Sequence, residues 1–298
     1  MDSDGNWWCR PVVADTAGTF YDFDVRVKDG KVETGEWIDS IVWGDVHEQI
    51  LNKQIKDVCW GKGGILDTTK AKRQFIHDLL NFTGRNHHET KDPMTRFRRY
   101  LDDVESVEKE VCGCADFLEV YAERPWCETI VVNSNHDRAL ARWLKEQDGR
   151  FDPINTEFWS SMWAAVVSSI RDTGEEPNCF ELACKLCEYR GGATFLKRDA
   201  SYVVCEDDSG GVECGMHGDE GPNGSRGNIR SYARMGRKIV VAHTHRAGIV
   251  DGVYQVGAMC ALRPEYVHGP DAASHTFCIV YENGKRTLAT IWNDKYRA

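Results

Sequence analysis

The spacing of apolar and polar residues changes several times along the chain, and each change predicts a different element. Residues 1–36 alternate apolar and polar side chains around the turn KDGK, which is typical of a β-hairpin or meander. Apolar residues recur at helical spacing from Thr95 to about Ala122, and Pro125 ends this predicted helix. Short and mostly apolar runs predict buried strands at 37–43, 73–80 and 128–132.

The second half of the chain predicts helices first and strands afterwards. A helix with one apolar side runs from Arg138 onward, and residues 153–190 contain two further helical patterns. After Gly191-Gly192 the pattern changes to the short strands SYVVC, VECGM, KIVVAH, GVYQVG, HTFCIVY and TLATIW. Strands that alternate with helices early and dominate late predict an α/β sandwich of two sheets with flanking helices.

The same pattern predicts how the chain is organised. We expect an N-terminal β-hairpin extension at 1–36 that packs on a core at 37–298, with a helical insert around 95–190. A chain of 298 residues is long enough for one large core. The abrupt start is compatible with a piece of a longer polypeptide.

Composition and charge narrow the class of protein. Ten Trp and 41% hydrophobic residues are typical of a globular chain, and no stretch approaches the roughly 20 apolar residues that span a bilayer. The N-terminus lacks the pattern of a signal peptide, so we expect a cytoplasmic protein. A net charge of −10 argues against a general polyanion-binding surface. It does not exclude a nuclease whose carboxylates hold cations, because bound metal inverts the local field.

The cysteines do not predict a metal site of their own. The pair Cys184 and Cys187 forms a CxxC, and Cys112 and Cys114 lie close together, but neither has a partner pair at zinc-finger spacing. Nothing marks the chain as a small secreted disulfide scaffold. We therefore expect the twelve cysteines to be thiols.

Metal-ligating side chains stand directly after apolar strands at several places in the chain. Alternate residues of an extended segment share a face, so Asp45 and His47 point the same way, as do His243 and His245. Each motif alone is weak, because a single His at a strand end is more often a satisfied surface or core residue. Together they indicate one site at the strand ends, and its members are Asp45, His47, Asp78, Asn135, His136, Asp137, His217, His243 and His245.

These residue types suit a pair of divalent cations. Two ions about 3.5–4 Å apart clamp a phosphoryl group, and the pair needs a carboxylate that can bridge as well as imidazoles to complete the coordination. Mixed nitrogen and oxygen ligands favour Mn²⁺, Fe, Zn²⁺ or Co²⁺ over Mg²⁺. We expect Mn²⁺, with Mg²⁺, Fe, Zn²⁺ and Co²⁺ as the other candidates.

The arrangement resembles the calcineurin-like metallophosphoesterases, whose signature is D-x-H, GDxxD, GNHD/E, a separate His and GHxH. The matching segments are GDVH (44–47), HDLLN (77–81), SNHD (134–137), MHG (216–218) and AHTH (242–245), so the resemblance covers residues 40 to 292. Three positions depart from the signature, namely His77, Asn81 and Ser134. The resemblance implies a four-layer α/β/β/α sandwich of two mixed sheets, with the catalytic domain at 37–298.

The resemblance also implies a role for each site residue. One metal would be held by Asp45, His47, Asp78 and His245, and the second by Asp78, Asn135, His217 and His243. Asp78 would bridge the two. A hydroxide between the metals would attack phosphorus, His136 would protonate the leaving oxygen, and Asp137 would hold the His136 ring in place.

Longer phrases are similar to a subgroup found in tailed phages, which includes DNA-degrading metallophosphoesterases and is related to the SbcD-like nucleases. These phrases are HDLLNFTGRNHHETKDP, RPWCETIVVNSNHDRALARWLKE, ECGMHGDEGPNGSRG and AHTHRAGIVDGVYQVG. They imply DNA as the substrate and, for a phage-encoded chain, the host cytoplasm as the location.

Substrate contacts and assembly are predicted from single features. Arg85 and His88 follow Asp78 and could meet phosphate, although a locally hydrogen-bonded loop is the alternative. Arg226 could place a positive charge near an anion at the start of a helix. Clustered tryptophans, Trp7, Trp8, Trp60, Trp126, Trp143, Trp159 and Trp163, indicate a homo-oligomer interface, with core packing as the alternative.

Three functions remain open at this point. The leading one is a metal-dependent phosphodiesterase that hydrolyses DNA. A phosphomonoesterase or nucleotide phosphatase could use the same pair of metals, because substrate choice depends on the walls of the cleft. A scaffold without catalysis is the third, and the presence of all the expected ligands and of His136 argues against it.

Overall fold

The computed structural model describes residues 2–86, 92–208, 210–263 and 270–297. Its strands are β1 (Phe20–Asp22), β2 (Val25–Lys28), β3 (Lys31–Thr34), β4 (Ile38–Asp45), β5 (Arg73–His77), β6 (Glu128–Val132), β7 (Thr194–Phe195), β8 (Val203–Val204), β9 (Val212–Glu213), β10 (Lys238–Val241), β11 (Gly248–Val250), β12 (Val253–Gln255), β13 (Thr276–Tyr281) and β14 (Arg286–Thr290). Its α-helices are α1 (Lys53–Trp60), α2 (Ile65–Thr69), α3 (Pro93–Leu101), α4 (Val107–Asp116), α5 (Asn135–Glu146), α6 (Thr156–Thr173), α7 (Cys179–Leu186) and α8 (Ile229–Ala233). Within these ranges, no helix is both long and apolar enough to cross a membrane.

Two mixed sheets form the centre of the fold. The six-stranded sheet has the order β14-β13-β4-β5-β6-β7. Strands β4 to β7 are parallel to one another, and β13 pairs antiparallel with both β4 and β14. The five-stranded sheet has the order β11-β12-β10-β9-β8, with β12, β10 and β9 parallel. The predicted α/β arrangement of two mixed sheets with flanking helices is confirmed.

Side-chain alternation along the strands separates the interior into layers. In β4, Ile41 and Trp43 point into a core shared with the helices, whereas Val42 points into a second core between the two sheets. In β10, Val240 lies in that second core, and Ile239 lies in a third core against α8. Helices, two facing sheets and a further helix therefore follow one another in the order α/β/β/α.

A small antiparallel sheet precedes these layers, in the order β1-β2-β3. Tyr21 and Phe23 are buried in the helix-side core, where the Tyr21 ring stacks on Tyr281 with centroids 5.2 Å apart. The backbone N–H of Phe23 donates to the Tyr281 hydroxyl at 3.0 Å. The meander predicted for 1–36 therefore has three strands and rests on the end of β13.

The single helix predicted from Thr95 to Ala122 is wrong, because two helices and a π-helical segment (Phe117–Ala122) occupy this region. The break follows Leu101: Asp103 adopts a left-handed backbone with φ of 53°, and the Ser106 side chain caps α4 by accepting from the Lys109 N–H. Helical periodicity on both sides of the break is similar, so the pattern does not reveal it.

The expectation that all cysteines are thiols is also wrong for one pair. Cys112 of α4 and Cys187, which follows α7, form a disulfide. Cys114 and Cys184 are buried free thiols. In the CxxC motif, Cys187 is therefore in a disulfide and Cys184 is a buried thiol. Neither belongs to the groups of described residues that could hold a metal.

The tryptophans divide between the core and the surface. Trp60 and Trp143 are buried in the helix-side core, whereas Trp7, Trp126 and Trp163 are exposed. Trp159 stacks on Trp163 with ring centroids 5.7 Å apart. Core packing thus accounts for Trp60 and Trp143, and the homo-oligomer stays a prediction.

Candidate metal centre

The site forms where parallel strands end at one sheet edge. Asp45, the last residue of β4, lies beside His77, the last residue of β5. The next turns are tied together, since the His47 N–H donates to the Asp78 carbonyl at 2.8 Å. The predicted convergence of these strand ends is therefore present.

Several side chains of the site sit on strained backbone. His47, Asp78, His243 and His245 have φ values of 42°, 47°, 72° and 60°, in the left-handed region that non-glycine residues rarely adopt. Each such residue costs on the order of 1–3 kcal/mol, and such residues cluster at functional sites. The left-handed residues therefore lie in the separate segments whose side chains meet at this site.

The first ligand group consists of Asp45, His47, Asp78 and His245. His245 Nε2 lies 3.2 Å from Asp45 Oδ2 and 3.3 Å from His47 Nε2. His47 Nε2 lies 3.6 Å from Asp78 Oδ2. Each of these four residues therefore has a donor atom within 3.6 Å of a donor atom of another member of the group.

The second ligand group consists of Asp78, Asn135, His217 and His243. His217 Nε2 lies 3.3 Å from Asp78 Oδ2 and 3.1 Å from Asn135 Oδ1. Asp78, His217 and His243 offer ligand atoms that all lie within 4.8 Å of one another. One oxygen, Asp78 Oδ2, is thus close to imidazoles of both groups.

Several buried polar atoms of the two groups have no hydrogen-bond partner in the protein. These atoms are His47 Nδ1, Asp78 Oδ1 and His217 Nδ1. Asp45 is 0% exposed and Asp78 is 2% exposed. Buried polar groups are normally satisfied, and buried charges are paired or coordinate metals. The clustered His and Asp residues could therefore hold metal ions.

The electrostatics leave Asp45 ionised and His47 neutral, as a cation requires, whereas His217 holds a proton in the metal-free chain. Burial raises the pKa of Asp45, but the His245 hydrogen bond and the His217 charge outweigh it and lower the pKa to about 2. Burial lowers the pKa of His47 to about 3 and keeps its ring neutral. Burial opposes protonation of His217, yet the charge of Asp78 raises the His217 pKa to about 9. A cation bound here would take the place of that proton.

His136 lies at the entrance to the site, but Asp137 does not orient it. His136 Nδ1 donates to the Asn81 carbonyl at 2.7 Å, and its Nε2 lies 4.0 Å from Asp78 Oδ2. Asp137 instead accepts from the Ser134 N–H at 3.1 Å, while Ser134 Oγ accepts from the Asp137 N–H. This reciprocal capping of α5 corrects the predicted role of Asp137 and explains why the helix begins at Asn135.

The three departures from the resemblance have identifiable surroundings. Ser134 caps α5, and the Asn81 side chain donates to Thr83 Oγ1 at 2.6 Å. His77 is fully buried, and its ring stacks on His217 with centroids 5.6 Å apart. Burial lowers the pKa of His77 to about 3, so the ring is neutral.

Two residues that the sequence did not indicate hold the loop after Asp78. Gln49 Oε1 accepts from the Asn81 N–H at 2.7 Å. The Glu110 carboxylate, which reaches over from α4, accepts from the N–H groups of Thr83 and Gly84. These contacts fix the carbonyl that orients His136.

Glu110 should make stability fall as pH rises. Burial, opposed by the Gly84 and Thr83 N–H groups, raises its pKa from 4.5 to about 7. The folded chain then binds more protons than the unfolded chain between these values, so the stabilisation is complete below about pH 4.5 and is lost as pH rises through about 7. This difference in pKa corresponds to about 3 kcal/mol.

We expect Glu110→Gln to make the pH dependence of the unfolding free energy shallower than in wild type, measured by urea unfolding of the metal-free chain between pH 4.5 and 8. Part of the dependence should remain, because burial also raises the pKa of Asp137 to about 7. Glu108→Gln, on the exposed side of the same helix, is the control and should keep the wild-type slope. Parallel pH profiles for wild type and Glu110→Gln would contradict the assignment.

Of the predicted substrate contacts, Arg85 is engaged by other partners. Arg85 is buried and makes a bidentate pair with Asp152, at 2.6 and 2.7 Å, and a hydrogen bond to the Gly84 carbonyl at 2.7 Å. The structure thus matches the alternative of a locally hydrogen-bonded loop. Arg226 is exposed, and α8 begins three residues later, with Asn228 as its cap. His88 lies outside the described residues.

A cavity that sequence reasoning missed adjoins the second ligand group, and its wall has five basic and five acidic side chains. It has a volume of about 860 Å³ and is bordered by Asn135, and a neighbouring cavity of about 440 Å³ is bordered by His217. The basic side chains of the larger cavity are Arg138, Arg142, Lys145, Lys197 and Arg198. Arg138 follows the N-H-D motif directly, so adjacency was a signal for it. Lys197 and Arg198 lie far away in sequence.

Comparison with known proteins places the chain beside a phage protein. No protein-family model matches the chain, and no solved structure matches it. The chain is 34% identical over 308 aligned positions to Protein A1 of Escherichia phage T5, in an alignment that covers all of this chain and 54% of that protein. The chain therefore spans about half the length of this relative, and the similarity extends over the whole of the chain.

Proposed function

We propose that the chain is a two-metal phosphodiesterase that hydrolyses DNA. The observation that carries the proposal is the position of Asp78, whose Oδ2 lies 3.3 Å from His217 Nε2 and 3.6 Å from His47 Nε2. One carboxylate between two sets of imidazoles is the arrangement that a pair of cations requires. The similarity to a phage protein supports a phage context.

The chain's own residues would divide the work at this site. The first ligand group would hold one cation and the second ligand group the other, with Asp78 shared. When bound, such cations make water a stronger nucleophile and neutralise charge that develops on the phosphoryl oxygens. His136 would donate a proton to the leaving oxygen, and the Asn81 carbonyl would keep its ring turned for that transfer.

The cavity beside the second ligand group supports a long anionic substrate. The whole chain has 37 basic and 47 acidic residues, whereas the cavity wall has five of each, so the excess of negative charge is absent there. Lys197 pairs with Glu175 and Arg198 pairs with Glu220, and all four side chains are more than a third exposed. Exposed ion pairs contribute at most about 1 kcal/mol, so phosphates could replace these carboxylates. A monoester would need no such extended wall.

The test measures substrate choice with the Mn²⁺-loaded chain. We expect cleavage of linear or plasmid DNA and faster hydrolysis of bis-nitrophenyl phosphate than of the nitrophenyl monoester. The double variant Lys197→Ala/Arg198→Ala should lower kcat/KM for DNA about tenfold more than for the small diester, because each lost phosphate contact weakens binding of the polymer. Both rates are followed at fixed salt.

A strong preference for the monoester would favour the phosphomonoesterase alternative. Intact DNA at high protein concentration, with metal content verified by elemental analysis, would exclude the nuclease. If the double variant lowered kcat/KM equally for DNA and for the small diester, this would show that the cavity does not bind the DNA substrate.

A further inference from the structure

Cys260 lies at the first ligand group, although no sequence motif contains it. Its sulfur and the ligand nitrogens of His47 and His245 all lie within 4.8 Å of one another. Cys260 is 0% exposed and His47 is 1% exposed. A buried thiol thus stands beside two imidazoles at the point where one cation would bind.

The backbone around Cys260 is attached to the same strand end that carries the carboxylate ligand. The Met259 N–H donates to the Asp45 carbonyl at 2.8 Å, and the Ala261 N–H donates to the Ile50 carbonyl at 2.9 Å. Cys260 itself pairs with Leu51, which follows the short turn after His47. Contacts on both sides therefore fix the thiol relative to Asp45 and His47.

The hydrogen bonding of the site leaves room for a further interaction. The Cys260 sulfur has a weak contact with the carbonyl of its neighbour Ala261, at 3.6 Å. His47 Nδ1 is buried without a hydrogen-bond partner, and Asp45 Oδ2 has His245 Nε2 at 3.2 Å. The polar atoms beside the thiol are therefore only partly satisfied by one another.

We propose that Cys260 is a ligand of the cation held by the first ligand group, and that this position therefore selects a softer metal than the second position does. The inference rests on the proposed two-metal function. Thiolate ligands favour Zn²⁺, Co²⁺ and iron, whereas carboxylate and amide oxygens also suit Mn²⁺. Asn135 gives the second position an oxygen where the first has sulfur, so the pair is chemically unequal.

The distances agree with shared coordination. Zinc lies about 2.3 Å from sulfur and about 2.0–2.1 Å from imidazole nitrogen, so two donors on one ion are separated by roughly 3.5 Å. The sulfur and the two nitrogens lie within 4.8 Å of one another, which is close to the separation that shared coordination requires. The thiol binds as thiolate and releases its proton to water.

Cobalt binding to the whole chain tests the proposal, because thiolate coordination to Co²⁺ gives an intense near-ultraviolet charge-transfer band that nitrogen and oxygen ligands do not give. We expect the band to rise as the metal-free chain is titrated and to be lost in Cys260→Ala. Cys59→Ala is the matched control, since Cys59 is equally buried and its sulfur lies 3.7 Å from Met259 Sδ, outside the ligand atoms. This variant should keep the band.

Bound cobalt is counted by elemental analysis in the same samples, which separates the possible failures. Cobalt bound without the band in wild type would overturn the role of Cys260 and leave the metal centre standing, and so would a band that persists in Cys260→Ala. A chain that binds no cobalt would overturn the proposed function as well. X-ray absorption of the zinc-loaded wild type should show a sulfur shell at about 2.3 Å, independently of how the variants fold.

Discussion

Replacing Asp78 with Asn is expected to lower phosphodiester hydrolysis by roughly 10³-fold or more, because it removes a group on which the whole catalytic unit depends. Asp78 Oδ2 is the atom shared by the two ligand groups, near both His217 and His47. A neutral amide neither bridges cations nor offsets their charge. Metal content should therefore fall together with turnover.

Asn is the substitution of choice at this position for a conformational reason. Asp78 has a φ of 47°, and Asn is among the few residues that tolerate the left-handed region. An Ala variant would add backbone strain to the loss of the carboxylate. The Asn variant confines the change to the charge and to one ligand atom.

The measurement is metal content by elemental analysis beside the rate on DNA, both on chain that has been stripped and reloaded with Mn²⁺. Asp39→Asn is the control, because Asp39 is also a buried carboxylate but lies near the start of β4, at the opposite end of that strand from Asp45, where it accepts from Arg73. The control should lose stability but keep its metal. An Asp78→Asn chain that still binds both cations would show that Asp78 does not bridge them.

Part of the ligand set could be predicted from a regular property of parallel sheets. The carboxyl ends of neighbouring parallel strands meet at one edge, so Asp45 and Asp78 converge once β4 and β5 are adjacent. The expected alternation of side chains does not place His47, His243 and His245, because these residues follow their strands on left-handed backbone. The layered α/β arrangement follows from the same periodicity. Neither prediction required knowledge of contacts between distant side chains.

The supporting contacts could not be predicted, because they join residues far apart in the chain. Arg85 has a guanidinium group that could bind phosphate, yet it pairs with Asp152, which is 67 residues away in the chain. Glu110 reaches the loop after Asp78 only because α4 begins at the Ser106 cap. Local sequence reports which side chains are available, and the packing of helices on the sheet decides which partners they meet.

The orientation of His136 shows a second limit. A backbone carbonyl, that of Asn81, accepts from its ring, and a carbonyl has no residue-specific signature in sequence. The neighbouring carboxylate of Asp137 was the natural expectation, but its place in the third position of α5 directs it back to the Ser134 N–H. Helix capping thus prevails over the contact that adjacency suggested.

His136→Ala is expected to lower turnover by about 10²–10⁴-fold, the usual contribution of a positioned general acid, with metal content unchanged. The His136 ring nitrogen nearer the site is 4.0 Å from Asp78 Oδ2, farther than the imidazole nitrogens of His47 and His217 that approach the same oxygen. Its side chain is 21% exposed, so water can satisfy the Asn81 carbonyl in the variant. Stability should therefore change little, and the loss should be confined to the chemical step.

Asp137→Asn separates the two accounts of how His136 is oriented. If the Asn81 carbonyl holds the ring, this variant retains activity within about tenfold of wild type while the reciprocal capping of α5 is weakened. A loss as large as that of His136→Ala would restore Asp137 as the orienting group.

Metal content decides whether His136 is itself a metal ligand. A His136→Ala chain that loses a cation would make His136 a ligand, and the proton would then have to come from elsewhere.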